Sequence, residues 1–123
     1  MKENFLYIER AKKALEAAKI LRKSGLLDDA FSRGYYAILH LGYALLLEVG
    51  ESPPKTHAGL VAKLFGALGR LRLSKSDLSK ISRFQALRES GDYAALSAVT
   101  ALDLSDIIDF AEKLLSIVEG GRK

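Results

Sequence analysis

Pro53 and Pro54 are adjacent and are the only prolines among the 123 residues. The long segments on either side therefore lack the residue that most strongly interrupts a helix. Apolar residues recur in them at intervals of three and four, with little of the strict alternation that a half-buried strand requires. These features predict an all-α fold: an up-and-down bundle of four to five helices in a single domain spanning 1–123. Hydrophobic residues make up 49% of the chain, enough apolar surface for a core of that kind. No internal repeat, low-complexity run or linker divides the chain.

The first helix is expected from about Asn4 to Lys23, with Ile8, Ala11, Leu15, Ala18 and Leu21 as its apolar stripe. Lys12, Lys13, Lys19 and Lys23 face water in this reading, and Gly25 ends the helix. The second helix is expected from Asp28 to Val49, with Asp28 and Asp29 at its positive end and Gly50 after its last turn. The turn GESPPK follows, and then a third helix from Thr56 to Leu68 with Leu60, Leu64 and Leu68 inward. GRLRLSKS (69–76) reads as a basic loop, and Ser76 as the cap of a fourth helix over Asp77–Glu89. GDYAALSAV (91–99) reads as a mobile or irregular connection. Thr100 with Asp103 three residues later has the form of an N-terminal cap, opening a fifth helix that runs to about Glu119, with Leu104, Ile107, Ile108, Ala111, Leu114, Leu115 and Val118 as a broad core stripe.

The second helix has two distinct faces. Phe31, Tyr35, Ile38, Gly42, Leu45, Leu46 and Val49 form an ordinary core stripe. Asp29, Arg33, Tyr36, His40 and Leu47 gather opposite, flanked by Ala37, Tyr43 and Ala44. A surface face should carry more charge than this. Either the helix is central in the bundle, or this face meets a second copy of the chain. A homodimer is the more economical reading for so small a protein.

Arg33 and His40 are seven residues apart on that face, so they differ by about 20° around the helix axis and lie about 10 Å apart along it. An imidazole titrates near neutral pH and can act as general acid or base. A guanidinium stays charged and can grip phosphate oxygens in a bidentate manner. Asp29, one turn before Arg33, can orient it, and Tyr36, one turn before His40, can bond a phosphate or the imidazole. Arg33 and His40 are accordingly the candidate catalytic pair, with Asp29 and Tyr36 in support. RNA cleavage by this set needs no metal if the 2′-hydroxyl is deprotonated and the phosphate charge is stabilised. The bland alternative is a packed structural histidine beside an intrahelical Asp–Arg pair.

Other signals are weaker. Lys55 and His57 near a helix start, and Arg88, are candidates for RNA or nucleotide binding. Arg70, Arg72 and Lys75 make the basic loop. Two histidines without nearby carboxylates make no convincing metal site, and no phosphate-binding glycine loop or nucleophile elbow occurs, so no cofactor is implied. The chain has no cysteine, which fits a reducing cytoplasm and removes thiol chemistry. MKENFLYIERAKK lacks the apolar stretch of a signal peptide, and 37–47 is too short to span a bilayer, so no membrane role is expected. A net charge of +4 permits an acidic partner without demanding one.

At DDAFSRGYYAILH (28–40), KTHAGL (55–60) and LRESGDYA (87–94), with a closing amphipathic helix, the chain resembles the HEPN domain superfamily, specifically its small stand-alone prokaryotic members. Arg33 and His40 match that superfamily's arginine–x(4–6)–histidine signature, and the resemblance covers nearly the whole chain. It implies a dimerising helical bundle and a metal-independent endoribonuclease with both copies of Arg33 and His40 lining the dimer cleft. It also implies a toxin paired with a nucleotidyltransferase antitoxin. In one branch the partner modifies a tyrosine two residues after the histidine, and here that position is Gly42. Some members are inactive, so the resemblance equally accommodates a non-catalytic dimer acting as a partner-binding or nucleotide-binding accessory module.

Overall fold

The computed structural model describes residues 2–93 and 99–121, with side chains over 4–56, 58–89 and 99–120. Within these it holds five α-helices: α1 (Lys2–Lys23), α2 (Leu27–Glu48), α3 (His57–Gly66), α4 (Lys75–Tyr93) and α5 (Ala101–Gly121). A single 3₁₀ turn, Leu68–Arg70, follows α3. The fold is thus an all-α bundle. The long helices run up, down, up and down, and the short α3 makes the crossing between α2 and α4. Cross-helix pairs fix these directions. Asn4 meets Ala44, Lys12 and Lys19 meet Glu119 and Glu112, and Asp77 meets Lys113.

Glycine stops α1 and α2 where the sequence places it. Gly25 has φ of 79°, and the N–H groups of Gly25 and Leu26 donate to the Arg22 and Leu21 carbonyls at 3.1 and 3.0 Å. Gly50 repeats the arrangement after α2, with φ of 82° and Glu51 N–H donating to Leu46 at 2.9 Å. Left-handed backbone of this kind is costly for any residue with a Cβ, and it satisfies carbonyls that a helix end would otherwise strand.

Helix α2 is the centre of the bundle and packs against all four other helices. Thirteen of its 22 residues are buried, including Ala37 and Ala44 on the face that the sequence alone left open. Centrality explains those two positions without a second copy of the chain. Two glycines let neighbours approach: a Cβ on Gly34 would lie 3.2 Å from Ile107, and one on Gly42 would lie 3.0 Å from Leu60. The expected core stripes are in place. Ile8, Phe31, Tyr35, Ile38, Leu60, Leu64, Leu104, Ile107, Leu114 and Val118 are all buried.

Boundaries shift at α4. Its cap is Ser74, not the expected Ser76. The Asp77 N–H donates to Ser74 Oγ at 3.1 Å, and the Ser74 N–H donates to Asp77 Oδ2 at 3.0 Å. The reciprocal pair requires the acid three residues after the cap, a spacing that Ser74 meets and Ser76 does not. Thr100 and Asp103 make the same box at the start of α5, as expected. Helix α4 also continues to Tyr93, beyond Glu89. Of the connection expected to be irregular, 91–93 are helical and 94–98 lie outside the described residues.

Two of the three cations of the basic loop are held by other parts of the bundle. Arg70 donates to the Val49 carbonyl and pairs with Glu51 at 3.0 Å, while Arg72 donates to the Ile117 carbonyl near the end of α5. Both guanidiniums thus sit at the negative ends of helices.

Asp77 is 4% exposed and accepts from Lys113 at 2.8 Å. Burial pushes its carboxyl upward, but Lys113 and the Ser74 N–H outweigh this and hold it below the usual carboxylate range. Asp77→Ala should therefore cost about 2 kcal/mol in denaturant unfolding, through a lost cap and a lost charged hydrogen bond. Because the folded-state value is depressed, the contribution is complete above the unfolded range near pH ~4 and is lost as pH falls through the folded value. The gap between wild type and variant should narrow on acidification in that window.

Candidate active site

The Gly25 turn sets the register between α1 and α2. Residues equally distant from it lie opposite one another, so that Tyr7 falls beside Tyr43, Arg10 beside His40, Ala14 beside Tyr36 and Ala17 beside Arg33. Asn4 anchors the far end of the pair, its buried Nδ2 donating to the Ala44 carbonyl at 2.9 Å. At positions 14 and 17 helix α1 offers only methyl groups, and a depression of about 250 Å³ opens there. Arg10, Lys13, Ala14, Ala17, Arg33, Tyr36 and His40 line it. The two residues that the sequence pairs, Arg33 and His40, therefore share one concavity.

The His40 imidazole is boxed by aromatic rings. Tyr7 stacks on it at 5.9 Å between ring centroids, Tyr36 lies tilted at 5.0 Å, and Tyr43 meets it edge-on at 6.0 Å. Positions 33, 36, 40 and 43 follow the three- and four-residue spacing of one helix face, which is why α2 supplies two of the three rings. The Arg33 guanidinium lies over Tyr36, 4.8 Å from its centroid. A single ring thus touches both the cation and the imidazole.

His40 is 8% exposed, and its Nδ1 has no hydrogen-bond partner among the described residues. Burial, then the positive charges of Arg10 and Arg33, push its pKa below the ordinary histidine value. Both effects favour the neutral ring, the form that can accept a proton.

The other expected site residues lie elsewhere. Asp29 is exposed and lines a separate concavity with Gly25, Leu26, Leu27 and Asp28 at the α1–α2 turn. Among the described residues it makes no ion pair with Arg33. Arg88 reaches from α4 to the opposite side of α2, where its Nε donates to Ser32 Oγ at 3.1 Å and its guanidinium lies 5.8 Å from the Tyr35 ring. Tyr35 is fully buried, and burial raises its hydroxyl to about 12 against the opposing pull of Arg88. Lys55 is exposed just before α3, and His57 is the first residue of that helix. The side chain of His57 lies outside the described residues, and Lys55 does not line the His40 depression. Among the described residues no group of three metal-ligating side chains occurs.

Sequence reasoning missed Arg10, Lys13, Tyr7 and Asn4. Counting outward from Gly25 along both helices places Arg10 opposite His40, and Lys13, expected simply to face water, lines the depression beside them.

The imidazole of His40, followed by NMR, should titrate below 6.5 in the folded chain. Arg10→Gln should move the midpoint upward, because it removes a cation that opposes protonation. The depressed folded value also means that His40 adds stability at neutral pH that is lost as pH falls through it.

The model of the HEPN domain matches residues 6–121. A UPF0332 protein of Archaeoglobus fulgidus is 35% identical over 119 residues, covering 97% of this chain and 89% of its own length. A UPF0332 protein of Thermotoga maritima is 33% identical over 111 residues, covering 89% and 83%. A protein of Methanocaldococcus jannaschii that bears the name "Putative toxin" is 51% identical over 59 residues, which cover 48% of this chain and 42% of that protein. The helical bundle, the matched span and these relatives agree: the chain belongs to the HEPN domain family, with small prokaryotic proteins among its relatives.

Proposed function

We propose that this protein is a homodimeric, toxin-type HEPN endoribonuclease that acts without a metal ion. The observation that carries the reading is the neutral imidazole of His40 sharing a concavity with the fixed cation of Arg33. In this mechanism His40 takes the proton of a ribose 2′-hydroxyl. The 2′-oxygen attacks the adjacent phosphorus, the P–O5′ bond breaks, and the 5′-oxygen leaves with a proton from water. The products are a 2′,3′-cyclic phosphate and a 5′-hydroxyl end. Arg33 holds the non-bridging oxygens as negative charge builds on them. Tyr36 fixes where Arg33 rests, and Tyr7 and Tyr43 hold the plane of the imidazole.

The proposed dimer brings together the exposed parts of this face. Arg33 and Tyr36 remain accessible after α2 is buried in the bundle, and Leu6 and Ile20 of α1 are 52% and 57% exposed. A second copy would cover that apolar surface and face one His40 toward another. The names of the Methanocaldococcus relatives support the toxin class. A nucleotidyltransferase antitoxin and a cytoplasmic setting complete the proposal. Control by a modified tyrosine two residues after His40 does not fit this chain. Gly42 occupies that position, and its Cα faces Leu60 with no room for a ring.

RNA incubated with purified protein should be cut by wild type, while His40→Ala and Arg33→Ala should each lower the rate by about 100-fold or more. Equal cleavage by all three would remove the assigned roles. A wild type that dimerises but cuts no RNA would favour the alternative, a non-catalytic partner-binding module, for which the deep burial of His40 already speaks.

A further inference from the structure

Four cations in the middle of α1 divide between two neighbours. Lys12 pairs with Glu119 at 3.0 Å and with Glu9 at 3.6 Å, and Lys19 pairs with Glu112 at 3.2 Å. These face α5. Arg10 and Lys13 face α2 instead, and among the described residues neither they nor Arg33 makes an ion pair with a carboxylate. Three positive charges from two helices thus line one depression of about 250 Å³ that holds no acidic side chain. Crowding like charges around a small concavity is unfavourable unless an anion enters it. His40, itself more than nine-tenths buried, lines the same depression, and its Nδ1 has no hydrogen-bond partner among the described residues.

We propose that Arg10 and Lys13 of α1 complete, with Arg33 of α2, a three-cation clamp that grips phosphates flanking the one beside His40. This deepens the nuclease reading, on which it rests for the identity of the polyanion. Within it, Arg33 serves the scissile phosphate and the α1 pair sets where along the strand that phosphate lies. Bound phosphate would offset the positive charge that Arg10 and Arg33 bring to bear on His40.

The test uses the full chain and inorganic tripolyphosphate, followed at the His40 ring by NMR. Wild type should show a saturable shift and an upward move of the His40 midpoint, since a bound anion favours imidazolium. Arg10→Gln and Lys13→Gln should each weaken binding about 3-fold or more, and the double variant about 10-fold. Arg10→Lys should recover most of the loss, and Lys19→Gln on the other face should change nothing. No saturable shift, or equal affinity in the double variant, overturns the clamp. With RNA in place of tripolyphosphate, each neutralised clamp residue should flatten the dependence of log K on log salt by about 0.7. Tripolyphosphate bound through Arg10 and Lys13 by a protein that binds no RNA would overturn the RNA reading and leave the clamp standing.

Discussion

The left-handed turn at Gly25 governs what the rest of this molecule can do. A helix that ends one residue earlier or later would rotate α1 by about 100° relative to α2. Arg10 would then leave His40, and the methyl groups of Ala14 and Ala17 would no longer stand opposite Tyr36 and Arg33. The depression is therefore a product of register more than of any single side chain. Two small residues make the space, and the turn decides what faces it.

That register also sets the electrostatics. Burial alone would make imidazolium unfavourable at His40, and two guanidiniums on different helices push in the same direction. No carboxylate lines the depression to counter them. Histidines that serve as acids or bases are commonly oriented by a carboxylate that raises their basicity; His40 is instead packed among aromatic rings, and burial and nearby cations disfavour its charged form. Such a ring is a weaker base, but a larger share of it is unprotonated at neutral pH.

Much of this was legible in the sequence. The helix count, the Gly25 and Gly50 stops, the Thr100–Asp103 box and the core stripes of α2 and α5 follow from local rules, because each depends on neighbours within one or two turns. The shared pocket of Arg33 and His40 was also legible, since seven residues on one helix bring both to one face. What escaped is non-local. Arg10 and Tyr7 matter only once α1 lies antiparallel on α2. Asp29 has the right spacing to pair with Arg33, but exposed carboxylates gain little from such pairs and this one points toward the turn. Arg70 and Arg72 looked like surface charge until the ends of α2 and α5 arrived beside them. The choice of Ser74 over Ser76 was within reach, because only Ser74 has an acid three residues on.

Asn4 gives the α1–α2 pair an unusual mechanical layout. The two helices are joined covalently at Gly25, and at the opposite end a side-chain amide holds the Ala44 carbonyl. The pair behaves like a hinged lever latched at its tip. Displacement about the hinge grows with distance from it, so any loosening of the latch is felt most by Tyr7, the first aromatic wall of the imidazole. Asn4, about one helical turn before Tyr7, therefore bears on how still that wall of the imidazole is held.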